Sequence, residues 1–200
     1  KILRTCPYQV NDIGIISILQ RGSVDLIALC EEFGLVTEAR EMAQRVQLTR
    51  ASVNALWSPV WHQYVSRNAI TGQLLDVPTS AGLLGAYAGF EGDVGSTIRH
   101  WLAETPYGLP STRSTYAGFE PLRYWRGPVW QHINMLISVG LQDQGHNIEA
   151  LEIRRRSEQL FSVAGFHEYY DPLSGKGLGG KTFSWTAATY LHWIADWKKK

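Results

Sequence analysis

The sequence predicts an all-α protein built from helical hairpins lying side by side, either as a solenoid or as part of an α/α toroid. Apolar residues recur at helical spacing in six or more segments. Most of these segments come in adjacent pairs separated by a short turn, and the loops between pairs are longer and irregular. The pairs share little sequence similarity, so a short sequence repeat is not indicated.

The first predicted hairpin joins a helix over residues 14–32 to a helix over residues 37–57. Gly34 follows the first helix, where glycine commonly ends a helix, and Thr37 is a candidate N-cap for the second. Ser58-Pro59 ends the second helix, because a residue that precedes proline disfavours the helical conformation.

A short β-hairpin insertion is predicted next, with strands within residues 60–65 and 68–75. Of the helices that follow it, one has Pro128 at its first position and another has Asn147 as its N-cap. These later helices are predicted at residues 80–89, 92–104, 128–145, 147–163 and 184–197.

Composition excludes several classes of protein. Lys and Arg total 19 against 18 for Asp and Glu, so nucleic-acid binding driven by net charge is not expected. The sequence is interpreted as having no stretch of about 18 apolar residues, so no membrane association is expected. Cys6 and Cys30 do not make a disulfide framework and fit a reducing, cytoplasmic location. No cofactor or metal is expected, since phosphate-loop and zinc-ligand spacings are missing.

The chain is rich in aromatic residues, with 8 Trp, 9 Tyr and 6 Phe. These fit either core packing or a site that stacks on sugar rings. Residues 123–130, Arg-Tyr-Trp-Arg-Gly-Pro-Val-Trp, combine aromatic and basic side chains where a long loop meets a predicted helix. Arg123 and Arg126 offer forked donors for hydroxyl or carboxylate groups. The alternative is a helix cap on which Trp packs and Arg covers it.

A second dense segment, residues 165–185, places Glu168 among aromatic residues. In an extended chain, Phe166, Glu168 and Tyr170 would share one face. A carboxylate in such surroundings is a candidate for proton transfer. The alternative is a Glu that pairs with Arg123 or Arg126 and fixes the loop.

The two segments together resemble motifs of the six-hairpin (α/α)6 glycosidases. Residues 124–130 with Ile133-Asn134 form the first motif, and residues 165–172, closed by residues 183–187, form the second. The sequence is most similar to glycoside hydrolase family 63, in its branch of mannosylglycerate and glucosylglycerate hydrolases, and trehalases share a looser version. The resemblance implies that residues 1–200 are one partial domain, the C-terminal half of an (α/α)6 toroid with a short β-hairpin insertion.

The resemblance also implies an inverting hydrolase that acts on a small α-glycoside. Glu168 takes the role of general base, which activates water, and the general acid is an Asp that lies upstream of this chain. Asp76 and Asp93 do not stand in a matching context, so this segment by itself is expected to be inactive. The expected substrate contacts are Tyr124, Trp125, Arg126, Trp130, Tyr169 and Trp185.

Three other functions stay open on the sequence. A trehalase or an oligosaccharide α-glucosidase of the same fold would differ in substrate. A non-catalytic sugar-binding α/α domain would bind sugar without hydrolysis. A structural α-solenoid would do neither and would leave Tyr124, Trp125 and Glu168 far apart.

Overall fold

The computed structural model describes residues 5–6 and 8–195, and most of this part of the chain is helical, as predicted. The helices are α1 (Ile13–Glu32), α2 (Val36–Val53), α3 (Ser80–Leu83), α4 (Gly85–Ala88), α5 (Val94–Glu104), α6 (Gln131–Asp143), α7 (Asn147–Ala164) and α8 (Ser184–Thr189). A 3₁₀ turn (Asn54–Leu56) follows α2, and π-helical turns (Tyr190–Ala195) continue α8. The strands are β1 (Val10–Asn11), β2 (Trp57–Ser58), β3 (Gln63–Tyr64), β4 (Arg67–Asn68), β5 (Tyr169–Tyr170) and β6 (Gly177–Leu178).

The helices form two layers. In the first layer α1 packs on α4, α4 on α6, and α6 on α8, while α5 packs on α7 in the second. The hairpins α1–α2 and α6–α7 connect the two layers with extensive contacts. Alternation between layers along the chain is the arrangement expected of side-by-side hairpins, and it confirms that prediction.

All long connections lie at one end of these layers, which we call the long-loop end. Turns of a few residues join α1 to α2, α4 to α5, and α6 to α7. Residues 54–79, 105–130 and 165–183 form the long connections, and each precedes a helix of the first layer. Because antiparallel helices alternate in direction, the helices that follow these connections all begin at the same end. The two aromatic motifs lie within the second and third connections, so the fold places them at the same end.

The core lies between the two layers. Its largest fully buried side chain is Trp101 of α5, which packs in one cluster with Leu83, Ile137 and Ile153 from three neighbouring helices. Gly140 allows α6 to approach α4 closely, since a Cβ there would lie 2.3 Å from the amide nitrogen of Tyr87. The close approach fixes the position of α6, whose first turn carries site residues.

Three predicted helix starts are wrong. The N-cap of α2 is Leu35, so Thr37 lies inside the helix. The N-cap of α7 is His146, so Asn147 is its first helical residue. The helix predicted from Pro128 begins at Gln131, because the residues before it are hydrogen-bonded to other loops. In this last case contacts with other loops, and not the preference of proline for the first helical position, determine where the helix begins.

The β structure is more extensive than the single predicted hairpin. Strands β2 and β3 form a hairpin, but β4 pairs with β1, and β5 pairs with β6, all antiparallel. Helix α2 ends at Val53 rather than near Trp57, because Trp57 belongs to β2 and pairs with Tyr64. The expected strands at 60–65 and 68–75 are therefore only partly correct.

Helix α1 is long and apolar enough to cross a membrane by length and composition, with a mean hydropathy of 1.6. The sequence interpretation that no such segment exists is therefore wrong. In this structure α1 packs against α2 and α4, and many of its apolar side chains are exposed. Cys6 and Cys30 are free thiols. The predicted extension of the last helix to Trp197 and the Lys198–Lys200 tail lie outside the described residues.

Candidate active site

Direct backbone pairing brings the two aromatic motifs together. The amide of Val129 donates to the carbonyl of Tyr170 at 2.8 Å, and the amide of Tyr170 donates back at 3.0 Å. Val129 is also bridged to Pro110, so three loop segments lie side by side. This pairing explains why Pro128 and Val129 do not enter α6, and it places Glu168 close to Tyr124.

Three aromatic rings form a stack at this junction. The indole of Trp125 is nearly parallel to that of Trp130, with centroids 4.0 Å apart, and Trp130 stacks on Tyr169 at 5.0 Å. Tyr124 stands edge-on to all three rings, at angles between 84° and 90°. Edge-to-face and offset stacked pairs are the favoured arrangements of aromatic rings, so the four side chains hold one another in place.

The stack buries Trp130 and exposes Trp125. Trp130 is 4% exposed because its two faces are covered by Trp125 and Tyr169, whereas Trp125 is 47% exposed. Neither face of the Trp130 indole is open in this structure, and a sugar contact of Trp130 stays a prediction. Trp130 instead supports Trp125, whose outer face is open to a ligand.

Tyr124 is held in an unusual backbone conformation. Its φ is 29°, close to the left-handed region that non-glycine residues seldom adopt. The indole N–H of Trp130 donates to the Tyr124 carbonyl at 3.0 Å, and the Thr112 hydroxyl donates to the next carbonyl, that of Trp125, at 3.2 Å. These bonds fix the turn so that the Tyr124 side chain points toward Glu168.

The carboxylate of Glu168 accepts two hydrogen bonds. The Tyr124 hydroxyl donates to Oε1 at 2.9 Å, and the amide of Gly180 donates to Oε2 at 3.2 Å. The hydrogen bond to the carboxylate, more than burial, raises the pKa of the Tyr124 hydroxyl, so the tyrosine is the donor in this pair. The two oxygens are therefore oriented by one side chain and one backbone group.

The expected shared face of Phe166, Glu168 and Tyr170 is not observed. Phe166 and Tyr170 both contact Phe161 in the core, while Glu168 points to Tyr124. The reason is a turn at the start of the segment, where the Tyr170 hydroxyl donates to the Gly165 carbonyl at 2.6 Å. Burial raises the pKa of this Tyr170 hydroxyl to about 12, so it stays protonated as the donor.

A glycine-rich loop closes over the other side of Glu168. Gly179 has a φ of 68°, and a Cβ there would lie 2.6 Å from Oε2 of Glu168. Position 179 therefore requires glycine for two reasons: its positive φ, and the lack of room for a Cβ beside the Glu168 carboxylate. Asp171 starts the hairpin before this loop by accepting hydrogen bonds from the amide of Leu173 and the hydroxyl of Ser174.

The two arginines of the first motif form ion pairs within their own loop. Arg123 and Arg126 lie 3.2 Å and 2.9 Å from the same carboxylate oxygen of Glu120. Arg126 also donates to the carbonyl of Gly118. The alternative in which Glu168 pairs with one of these arginines is therefore not what the structure contains. Arg126, expected to contact substrate, fixes the loop in this structure, and a substrate contact stays a prediction.

Trp185 lies in the first turn of α8 and is 53% exposed. Its indole stacks on the imidazole of His132 at 3.8 Å. Burial lowers the pKa of His132 to about 4, so its ring is neutral near pH 7. The motif interpretation included Trp185 but missed His132, because the stacking partners are far apart in sequence.

Two further contributors were not among the predicted site residues, although Asn134 belongs to the first motif. The buried Asn134 side chain clamps the long loop to α6, accepting from the amide of Leu109 at 2.8 Å and donating to its carbonyl at 2.9 Å. The Gly180 amide acts through the backbone, so no residue type signals it. Within the described residues, no group of three His, Cys, Asp or Glu side chains is arranged to hold a metal.

The sequence matches a known family of glycoside hydrolase domains. The model of the mannosylglycerate hydrolase MGH1-like glycoside hydrolase domain matches residues 2–186. The chain is 36% identical to the mannosylglycerate hydrolase MGH1 of Selaginella moellendorffii over 199 residues, which is 97% of this chain and 41% of that protein. The chain thus spans less than half the length of this relative.

Two solved structures of other proteins have the same fold as this chain. The family 63 mannosylglycerate hydrolase of Thermus thermophilus in complex with glucose superposes with a TM-score of 0.87 and 36% identity, covering 96% of this chain and 50% of that one. The neutral trehalase of Saccharomyces cerevisiae has a TM-score of 0.69 at 16% identity over 91% of this chain and 37% of the trehalase, which shows the shared fold. The predicted fold, a portion of an (α/α)6 toroid, is therefore confirmed. The chain belongs to the family of mannosylglycerate hydrolase MGH1-like glycoside hydrolase domains.

Proposed function

We propose that this chain is the C-terminal half of an inverting glycoside hydrolase that cleaves a small α-glycoside of the mannosylglycerate type, with Glu168 as general base. The observation that carries the proposal is the Glu168 carboxylate, oriented by the Tyr124 hydroxyl at 2.9 Å and the Gly180 amide at 3.2 Å. Tyr124 in turn stands edge-on to an exposed indole, that of Trp125. A base and a sugar-stacking surface are two parts that glycoside hydrolysis requires.

Glu168 has the hydrogen-bonding capacity that a general base needs. An ionised carboxylate has about four acceptor positions, and the two observed donors use two of them. The remaining lone pairs accept a proton from water as that water attacks the anomeric carbon. Neither donor is a charged group, so the carboxylate is not neutralised by an arginine as the competing interpretation required.

The aromatic side chains fit the binding of a sugar ring. The outer face of Trp125 is open and its inner face is supported by Trp130, so the indole is rigid before a ligand arrives. Trp185 offers a second exposed indole, and Tyr169 supports the stack from its far side. The names of the relatives support mannosylglycerate as the substrate, and the bound glucose in the solved structure supports a hexose in the site.

The proposal places the general acid outside this chain. Asp76 accepts a hydrogen bond from Ser58 at 2.6 Å, and Asp93 caps α5 by accepting from the amide of Ser96 at 3.2 Å. Both carboxylates therefore have structural roles. An inverting enzyme needs its two carboxyl groups roughly 6.5–9.5 Å apart, so the acid must come from a segment that packs against the long-loop end.

Helix α1 offers the surface on which such a segment would pack. Apolar side chains on α1, among them Ile15, Leu19 and Leu29, are exposed. A cavity of about 310 Å³ lies between α1 and α2. Exposed apolar surface of this kind marks a surface that another element covers. Further hairpins of the toroid are the proposed cover, and residues 1–200 produced by themselves should lack activity.

The decisive experiment is hydrolysis of mannosylglycerate, glucosylglycerate and trehalose by the full-length protein and by its Glu168→Gln variant. The variant should lose at least about 10²-fold in kcat, because an amide cannot accept the proton from water. Glu38→Gln on the exposed surface of α2 is the matched control and should keep the activity. Proton NMR of the first-formed anomer should report inversion.

Unchanged turnover in Glu168→Gln would remove Glu168 from the proposed role, and a retained anomer would exclude the inverting mechanism. A second candidate function is sugar binding without hydrolysis. It is favoured by the observation that both Asp76 and Asp93 have structural partners. Neither residue therefore serves as the general acid that would act together with Glu168. That function predicts a change in Trp fluorescence with sugar and no hydrolysis by the full-length protein.

A further inference from the structure

The site contains two exposed indoles, each supported from behind by another ring. Trp125 is stacked on Trp130 with an angle of 7° between the planes. Trp185 is stacked on His132 with an angle of 22°. In both pairs one face of the exposed indole is covered and about half of the side chain is open to solvent. The second pair therefore repeats the construction of the first with a histidine as the supporting ring.

His132 connects the two surfaces. Its ring stands edge-on to Trp125 at 84° and to Trp130 at 78°, with centroid distances of 6.4 Å and 5.8 Å. Because Trp185 is nearly parallel to His132, the exposed indoles of Trp125 and Trp185 meet at a steep angle. Among the ring contacts of the described residues, His132 is the one ring that contacts both indoles.

We propose that His132 is a positioning residue that holds Trp185 as a second stacking surface for the glycoside, set at a steep angle to the surface of Trp125. This inference rests on the proposed function and deepens it. Two surfaces at a steep angle contact two different parts of one bent molecule, such as a sugar ring and the group attached to its anomeric oxygen. A flat, extended chain of sugars would need coplanar surfaces.

The location of His132 suits this role. It lies in the first turn of α6, and Trp185 lies in the first turn of α8, a helix that packs on α6. Trp185 has no other ring contact among the described residues, so the imidazole is the ring that limits its rotation. Burial among the indoles lowers the pKa of His132 to about 4, so the supporting ring carries no positive charge at neutral pH.

The test is a double-mutant cycle on the full-length protein with mannosylglycerate as substrate. His132→Ala and Trp185→Ala should each raise KM by about tenfold, the effect of roughly one aromatic stacking contact, and leave kcat within about twofold. His132→Phe keeps a stacking ring and should stay near the wild-type KM. The double variant should have the same KM as Trp185→Ala, because the histidine acts through the tryptophan.

Additive effects in the double variant would overturn the proposal, and so would a His132→Phe protein that behaves like His132→Ala. A loss of kcat at unchanged KM in His132→Ala would also overturn it, since a positioning residue for a binding surface acts on KM. If His132→Ala does not fold, His132→Leu takes its place, because leucine fills the space without providing a stacking ring.

Glucose binding, followed by Trp fluorescence, separates this inference from the proposed function. If the wild type binds glucose but hydrolyses none of the three glycosides, the hydrolase proposal fails. The same cycle measured as glucose affinity then decides the role of His132, with the same order of variants expected. If the wild type neither hydrolyses nor binds, both proposals are wrong.

Discussion

Acidification should destabilise the protein through the imidazole of His132. Burial against Trp125, Trp130 and Trp185, none of which titrates, lowers the pKa of His132 from 6.5 to about 4. In the unfolded chain the ring regains its ordinary pKa and binds a proton at a higher pH. The neutral ring therefore contributes stability that is fully present above pH 6.5 and is lost as the pH falls toward 4.

The magnitude follows from proton linkage. At pH 5 the unfolded chain carries a proton on His132 and the folded protein does not, which lowers the free energy of unfolding by at most about 2 kcal/mol. Water reaches part of the ring and screens it, so this figure is an upper bound. His132→Phe keeps the ring and removes the titration, and it is therefore the matched control.

The assay is urea unfolding, followed by circular dichroism, at pH 7.5 and pH 5 for both proteins. The wild type should lose up to about 2 kcal/mol more than His132→Phe between the two pH values, with equal m-values. Other carboxylates and histidines titrate in both proteins and cancel in the comparison. Equal losses would refute the reasoning, because the imidazole would then have the same proton affinity in the folded and unfolded states.

Tyr124→Phe should lower kcat about tenfold and leave the fold intact, because Glu168 loses one of its two orienting hydrogen bonds; steady-state kinetics with unfolding curves checks this. Gly179→Ala should destabilise the loop by about 1–3 kcal/mol and reduce kcat, because of its positive φ and the clash with Glu168, as thermal unfolding and kinetics will show. Gly140→Ala should lower the unfolding free energy by about 3 kcal/mol or more, because the new methyl group meets the backbone of α4. Gly22→Ala, in open space within α1, should raise it by about 0.5–1 kcal/mol.

Each of these expectations has a clear contrary result. Full activity in Tyr124→Phe would mean that the hydroxyl does not orient Glu168, the proposed base. A stable and active Gly179→Ala protein would mean that the loop has another conformation in solution. If Gly140→Ala and Gly22→Ala change stability by the same amount, close packing of α6 on α4 is not the constraint that the structure indicates.

Hydrophobic periodicity was sufficient to locate the helices, and the order of the two aromatic motifs was sufficient to identify the fold. The bounds of helix α1 follow the apolar pattern almost to the residue. Many side chains of that pattern are nevertheless exposed, and the buried positions of the helix include Ser17 and Gln20. The start of α6 did not follow local preference, since pairing of Val129 with Tyr170 outweighs the tendency of Pro128 to begin a helix. Such pairing depends on residues distant in sequence and has no local signal.

The candidate site could likewise be predicted only in part from the sequence. Glu168 and Trp125 could be proposed as site residues from the sequence, because residue type and motif carry their chemistry. The burial of Trp130 could not, since it depends on Tyr169, which stacks on it from a different loop. Sequence showed that Arg126 is basic, but the structure pairs it with Glu120 of its own loop. Residue type thus indicated which side chains have suitable chemistry, while the contacts between loops decided which of them are exposed.

The separation of long loops from tight turns has a consequence for how this scaffold can change. At the tight-turn end, an insertion would shift one helix against its neighbours and disturb close contacts such as that of Gly140 with α4. At the opposite end, residues 54–79 and 105–130 pair mainly with one another and with neighbouring loops, so their lengths can vary while the helices stay in register. The surface at one end of the molecule can therefore change in evolution with little loss of stability at the other.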